Sequence, residues 1–375
     1  MRPSRTDFSI ACSGGNDHSG TPTEHFLLLT RLLMKDIKSL TLEQLKEEMT
    51  SLGEKPFRAG QIYKWLHVKL VSSFDEMTDL SAALREKLSS EYELTDLKQL
   101  EVQVSKDDGT RKYLFELSDG NTVESVLMRY HHGNSVCISS QVGCRMGCKF
   151  CASTIGGCIR SLEPSEMLDQ IYKITNDINE RVSNVVVMGM GEPLDNFDNL
   201  IRFITLVTDE NGLNISQRNI TVSTCGLVPE IRKLADLHLS ITLAISLHAG
   251  TDEKRKALMP IANKYSLAEL MDACSYYFKE TGRRLTFEYS LIAGVNDRPE
   301  DADEIAGLAR KVGAHVNLIP VNPVTETGFR PTSGKDTNAF KQALEKRGVN
   351  STVRREMGRD IDGACGQLRK RMMGK

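Results

Sequence analysis

The sequence predicts an α/β protein: a partial (βα)6 barrel, preceded by a small N-terminal helical domain and a short β extension. Three observations predict it. Beyond residue 136, apolar β-like runs alternate with helical stretches about six times, which implies parallel strands joined by right-handed crossovers. Six units fall short of the eight of a closed barrel. Before residue 100, capped helical patterns dominate, and three β-like runs lie between the two regions. The 375 residues accommodate one large domain and a smaller one.

Residues 1–33 are polar and Gly/Ser-rich apart from a short apolar run at Phe26–Leu29. They are expected to be a disordered leader, with Met34 an alternative native start; Cys12 is given no role. The helical domain is expected over 34–100. Thr41 and Gln44 fit a capping box, with Leu42, Leu45 and Met49 on one face. Further helices are expected at Ala59–Val68 and near Ser81–Ser89. The window Lys55–Leu70 holds Lys55, Arg58, Lys64 and Lys69 without an acid, interleaved with Phe57, Tyr63 and Trp65. Such a window contacts phosphates and stacks on bases, or it is a small helical core with solvated lysines.

The β extension, 101–135, contains runs at Glu101–Ser105, Thr110–Leu117 and Thr122–Tyr130, with Ser118–Asn121 as the last turn. The barrel is expected over 136–355. Its strands are expected at Val136–Ser140, Val185–Met188, Ile220–Ser223, Leu239–Leu247, Arg284–Tyr289 and His315–Ile319, with Ser351–Arg354 at the end. Helices are expected from Pro164, from Leu194, and at Pro229–Leu237, Leu267–Glu280, Ala302–Val312 and Asn338–Arg347. A C-terminal segment, 356–375, completes the chain.

Composition narrows the function. A net charge of −2 gives no global nucleic-acid signature, so RNA contact would need local basic patches. No apolar run reaches the ~18–20 residues of a membrane span. Nine cysteines, odd in number and clustered, point to a reducing cytoplasmic setting with metal or redox use.

Cys144, Cys148 and Cys151 form a C-x3-C-x2-C frame, with Cys137 seven residues upstream. Thiolates are soft ligands for zinc, copper(I) or iron–sulfur clusters. Two sites fit: a zinc knuckle closed by Cys137 or Cys158, or a cubane with one open iron, shielded on one face by Phe150. Polar groups recur at the expected strand ends: Gly191 and Glu192 in MGMGEP, Ser223, Ser246-Leu247-His248, and Asn322 in NLIPVNP. That is where such barrels keep their chemistry. Singly, each also reads as a turn or a structural hydrogen bond; together they form a ring around one mouth. In the tail, Cys365 is flanked by Ala364 and Gly366 and so is sterically open. The segment Arg354–Lys375 carries seven basic and three acidic side chains, a candidate phosphate-facing surface or a solvated terminus.

The cysteine spacing resembles the radical S-adenosylmethionine (SAM) superfamily, and thus a radical SAM barrel. VESVLM, CISSQVGC, KFCAS, MGMGEP, ISLHA, NLIPVNP and DIDGACGQL resemble, in order, the RlmN family of adenine-C2 RNA methyltransferases, from about Met34 to Arg369. The resemblance implies that Cys144, Cys148 and Cys151 hold one 4Fe–4S cluster. It implies that Gly191, Glu192, Ser223, Ser246, Leu247, His248 and Asn322 bind SAM, two molecules per turnover. It makes Cys365 the methyl carrier, Cys137 its resolving partner through a disulfide bond, and Glu124 the proton acceptor. Adenine C2 has no lone pair to attack SAM, whereas a thiolate can accept a methyl group. Cys365 would be methylated by one SAM, and a radical from a second SAM would take hydrogen from that methyl. The carbon radical would add to C2, Glu124 would take the proton, and Cys137 would release the product. The implied targets are adenine 2503 of 23S rRNA and adenine 37 of tRNA. Also implied are a flavodoxin-like low-potential electron donor, a monomer, and no membrane. Cys225 and Cys158 depart from the family pattern. A C8-directed enzyme of the same superfamily and a zinc-stabilised RNA-binding protein are the alternatives.

Overall fold

The structure is a computed structural model that describes residues 34–364 and 366–368. The expectations for residues 1–33, for Cys365 and for Arg369–Lys375 lie outside these residues.

The chain opens with β1 (Lys35–Asp36), α1 (Leu42–Ser51), α2 (Phe57–His67), α3 (Ala82–Glu91) and β2 (Tyr92–Glu93). Thr41 and Gln44 form the expected capping box on α1. Leu45, Met49, Ile62, Leu66, Leu84 and Leu88 are buried in the core, and β1 pairs in parallel with β2. The basic window divides. Tyr63 is core, its hydroxyl donating to Asp209 at 2.9 Å, so it cannot stack on a base. Trp65 donates to Asp79 at 2.5 Å, with Lys69 Nζ 3.0 Å above its ring. Phe57 is 58% exposed, with the Arg58 guanidinium carbon 5.0 Å from its ring centroid.

Next come β3 (Lys98–Val104), β4 (Arg111–Glu116), β5 (Thr122–Tyr130), β6 (Gly133–Cys137), β7 (Gln141–Gly143) and β8 (Cys158–Ser161). The barrel continues through α4 (Pro164–Ile178), β9 (Val182–Val187), α5 (Phe197–Thr208), β10 (Ile220–Thr224), α6 (Val228–Asp236) and β11 (Thr242–Ser246). It ends with α7 (Asp252–Leu258), α8 (Leu267–Thr281), β12 (Thr286–Leu291), α9 (Pro299–Val312), β13 (His315–Pro320), α10 (Gly334–Lys346) and β14 (Ser351–Val353).

One ten-stranded sheet runs β14-β13-β12-β11-β10-β9-β6-β5-β4-β3. The pairs from β6–β9 to β13–β14 are parallel; those among β3, β4, β5 and β6 are antiparallel. β9, β10, β11, β12 and β13 are each followed by helix, and β6 reaches α4 after the β7–β8 hairpin, which gives the expected (βα)6 pattern; β14 extends the parallel edge. The β extension is therefore continuous with the barrel sheet, joined through β6. The strands are Val/Ile/Leu-rich because helices cover one face of the parallel sheet and the chamber walls the other.

The short β1–β2 pair lay outside the sequence expectations, as did other features of the barrel. The hairpin of β7 and β8 is too short for a period-two pattern. Helix α7, DEKRKAL, has no apolar stripe and depends on its Thr251 cap and on packing. The helix expected from Leu194 starts as a 3-10 turn, Pro193–Asn196, before α5.

The helical domain is tied to α4 by buried polar contacts. Lys38 Nζ lies 2.6 Å from Asp169, both side chains 1% exposed, and Leu97 N–H donates to the other Asp169 oxygen at 2.7 Å. His67 Nδ1 meets the Tyr172 hydroxyl at 2.6 Å. A buried ion pair adds little net stability once desolvation is counted, but every misdocked arrangement would leave one of these charges alone. Among the described residues, no helix is long and apolar enough to cross a membrane.

Candidate active site

A cavity of about 130 Å³ opens at the C-terminal ends of the parallel strands. The cysteine loop forms one wall. Gly143, at φ +79°, passes so close to the β8 strand that a Cβ there would sit 2.0 Å from Gly157 O. Cys144 N–H donates to that same carbonyl at 3.1 Å. Lys149 N–H donates to Leu258 O at 3.0 Å, and Thr154 Oγ1 donates to Cys151 O at 2.9 Å. The loop is thus fixed from both sides, and Cys144, Cys148 and Cys151 all line the cavity.

Burial pushes the Cys144 thiol up to about 12 and the Cys148 thiol well above its ordinary value, and neighbouring acidic groups add to both shifts. Without a cation these thiols hold their protons. A metal centre would ionise them, as it does any coordinating thiol. Three soft donors around one wall, facing a chamber with room beyond them, fit a thiolate-held iron–sulfur cluster. Phe150 lines the same chamber and packs edge-on to His248 with ring centroids 4.7 Å apart.

The strand-end residues form the rest of the chamber. Gly191, Glu192, Ser223, Ser246, His248 and Asn322 all line it. Gly191 is glycine for a packing reason: at φ +106°, its Cβ would lie 2.7 Å from Gln141 Cβ and 2.8 Å from Gln141 N. Glu192 caps the 3-10 turn. Its Oε1 accepts from Leu194 N–H at 3.1 Å and its Oε2 from Cys225 N–H at 2.7 Å. Burial raises its pKa while these donors oppose the rise. It is at once a helix-leading acid and a carboxylate in the chamber wall. Ser223 and Ser246 hydroxyls lie 3.3 Å apart. His248 has φ +57°, and its Nδ1 accepts from Ser290 N–H at 2.9 Å. Burial, aided by Arg255, lowers it to about 3. The ring is therefore neutral with its proton on Nε2. The Leu247 side chain is fully buried in the core and does not line the chamber.

Cys137 lines a second, smaller cavity of about 40 Å³, together with Val126, Met128, Gly363 and Ala364. The two cavities share Met188, Ile319, Asn322, Arg354 and Leu368 as a common wall. Ala152 N–H donates to Gly366 O at 2.8 Å, and Ser153 Oγ to Leu368 O at 2.6 Å. The segments on both sides of position 365 therefore border this pair of cavities. Glu124, 1% exposed, lies two residues before Val126 on the same face of β5, with Lys112 Nζ 3.9 Å from its Oε1. Cys365, the expected disulfide partner of Cys137, lies outside the described residues.

Sequence reading missed three contributors. Glu288 lines the chamber, held by Asn317 Nδ2 at 2.9 Å, with Arg354 at 4.0 Å. An acid inside the apolar run TFEYSL was a signal for it. Gln170 on α4 is fully buried and ties Ser125 to Ser139. Arg255 on α7 is fully buried behind Cys225. Neither of these two has a distinguishing sequence pattern.

A three-thiol loop at the mouth of a (βα)6 barrel defines a radical SAM enzyme, and residues 138–309 match the family model for the radical SAM superfamily. Residues 35–94 match the model described as the ribosomal RNA large subunit methyltransferase N-terminal domain. A probable dual-specificity RNA methyltransferase RlmN from Lachnospira eligens is 64% identical over 340 residues, covering 91% of this chain and 97% of that protein. The protein of the same description from Clostridium novyi is 52% identical over 337 residues, covering 90% and 98%. The crystal structure of a radical SAM methyltransferase from Sphaerobacter thermophilus superposes with a TM-score of 0.86 at 43% identity, covering 89% of this chain and 99% of that one. The chain belongs to the RlmN family.

Proposed function

We propose that this protein methylates C2 of adenine in RNA, at adenine 2503 of 23S rRNA and adenine 37 of tRNA, through S-methylated Cys365 and a protein–RNA thioether. SAM dependence and RNA methylation follow from family membership; the position on the base and the adduct are the finer reading. One observation carries it: the cavity that holds Cys137 shares a wall with the three-cysteine chamber, and the residues flanking position 365 border both. A methyl carrier, a resolving thiol and a cluster must meet in one place, and these cavities adjoin.

In this reading Cys144, Cys148 and Cys151 hold the 4Fe–4S cluster, and Gly191, Glu192, Ser223, Ser246, His248 and Asn322 hold SAM. When bound, the cluster and SAM supply the carbon radical that takes hydrogen from a methyl group. Cys365 accepts that methyl beforehand as a thiolate nucleophile. Glu124, buried and facing Lys112, takes the C2 proton. Cys137 then attacks the Cys365 sulfur as a thiolate: a disulfide bond forms, the carbon–sulfur bond breaks with its electron pair staying on the product carbon, and that carbon takes a proton to become the methyl group, leaving the disulfide for an external reductant. The target adenine must leave its stack to reach the chamber, at about a few kcal/mol in a duplex and less in a loop.

The test is the Cys137→Ala protein, purified anaerobically and incubated with 23S rRNA fragments and tRNA. It should accumulate protein covalently joined to RNA, while wild type yields 2-methyladenosine by mass spectrometry of the digested RNA. Clean turnover by Cys137→Ala, 8-methyladenosine as the product, or a colourless zinc-containing wild type would each refute the reading.

A further inference from the structure

Arg255 has no exposed surface. A buried guanidinium normally faces a carboxylate, yet the acceptors of this one are backbone carbonyls: Cys225 O at 2.6 Å, Leu247 O at 3.2 Å and Ser246 O at 3.3 Å. Its Nη1 has no hydrogen-bond partner at all. The fork therefore holds the ends of β10 and β11, the two strands that bring Ser223 and Ser246 into the chamber. It also sits directly behind the chamber wall, since Cys225, whose carbonyl it holds, lines the chamber.

The surroundings point the charge toward the cysteine loop. Leu258, at the end of the same helix, accepts from Lys149 N–H inside the C-x3-C-x2-C frame. Cys148 and Cys225 share one small apolar cluster with Leu258 and Met259. Glu192, across Cys225, already accepts from two backbone amides.

We infer that Arg255 is a positioning and charge-balancing residue for the metal centre: its buried cation has as counter-charge the cluster held by Cys144, Cys148 and Cys151, and it favours the reduced, more negative state of that cluster. The inference rests on the proposed function only for the presence of the cluster. Reduction adds one electron, supplied by a low-potential one-electron donor, and so makes the centre one charge more negative. A fixed positive charge behind an apolar wall, with little screening, stabilises that state more than the oxidised one.

The experiment compares full-length, anaerobically reconstituted wild type with Arg255→Met, Arg255→Gln and Arg255→Lys. The midpoint potential is read by electron paramagnetic resonance during a redox titration. The thermal midpoint is read with and without the cluster. Met and Gln remove the charge, with Gln keeping hydrogen-bond donors; Lys keeps the charge without the fork. Met and Gln should each lower the equilibrium constant for one-electron reduction about tenfold, a shift of about 59 mV to more negative potential. They should also gain less thermal stability from the cluster than wild type does, whereas Lys should stay near wild type on both readouts. If Met does not fold, Gln carries the test. Potentials unchanged in Met and Gln, or shifted equally in all three variants, would overturn the inference. A wild type that takes up no iron and sulfide would instead refute the proposed function.

Discussion

Gln170 offers the sharpest test of how the site is held. Its side-chain amide is fully buried and makes four hydrogen bonds. Oε1 accepts from Ser125 Oγ at 2.7 Å and from Ser139 N–H at 2.8 Å. Nε2 donates to Ser139 O at 3.0 Å and to Glu166 O at 3.1 Å. Ser139 in turn donates from Oγ to Glu124 O at 2.6 Å and accepts from Met190 N–H at 3.0 Å. One amide thus ties together β5, which carries Glu124, the segment leading into the cysteine loop, and the turn before Glu192. In Gln170→Leu the volume is nearly kept, but Ser139 N–H and C=O lose their partners in a dry interior. The Ser125 hydroxyl can rotate, and Glu166 O remains in its helix. Two stranded backbone groups at about 1–3 kcal/mol each give about 4 kcal/mol, or about three decades in a local opening equilibrium. Hydrogen exchange read by mass spectrometry on cluster-free protein should show peptides covering 134–145 and 186–192 exchanging about a thousandfold faster. Peptides of α10, on the far side of the barrel, should change little. A double-mutant cycle with Ser139→Ala should be non-additive by about 0.5–3 kcal/mol, because the two side chains share one network. Exchange within threefold of wild type at Ser139 and Met190 would refute the reasoning.

Two further predictions rest on local geometry. Gly191→Ala requires both a positive φ, at about 1–3 kcal/mol, and room for a Cβ 2.7 Å from Gln141 Cβ. The turn must shift, and SAM binding measured by calorimetry should weaken at least tenfold; unchanged affinity would count against Gly191 as a close-packing site. His67 is buried and burial lowers it to about 3, against 6.5 for the free side chain. The unfolded chain therefore binds a proton that the native state does not, between roughly pH 6.5 and 3, and stability falls as pH falls through that window. From pH 7 to 5 the loss from this residue is about 2 kcal/mol, so urea midpoints should drop more in wild type than in His67→Asn; parallel pH profiles would refute it.

The parallel strands were legible because buried strands are continuous apolar runs. The mouth was legible because polar residues ending such runs have few reasons to be there. Legibility failed where an element owes its existence to its neighbours. Helix α7 is charged along most of its length, and its sequence gives no reason to bury Arg255; only the carbonyls of β10 and β11 do. The pattern of α4 puts Asp169 and Gln170 among its polar positions, which reads as a solvated face, yet both are buried. At Leu247 the side chain lies in the core, between two residues that line the chamber. Tyr63 was a stacking candidate until a second domain covered it.

The burial of α4 explains more than a missed assignment. Asp169 and Gln170 are adjacent, so their side chains diverge by about 100° around the helix. Asp169 reaches Lys38 and Leu97 on the helical-domain side, while Gln170 reaches Ser125 and Ser139 on the sheet side. A helix with polar, fully satisfied contacts on both flanks cannot slide relative to either without stranding a charge or an amide. Apolar ridges would tolerate a shifted register at modest cost; these contacts do not. The N-terminal domain is therefore fixed relative to the chamber by α4, and the exposed Phe57 face stands at a set distance from the cysteine loop. An RNA substrate that spans both surfaces meets a rigid gauge rather than a hinged arm.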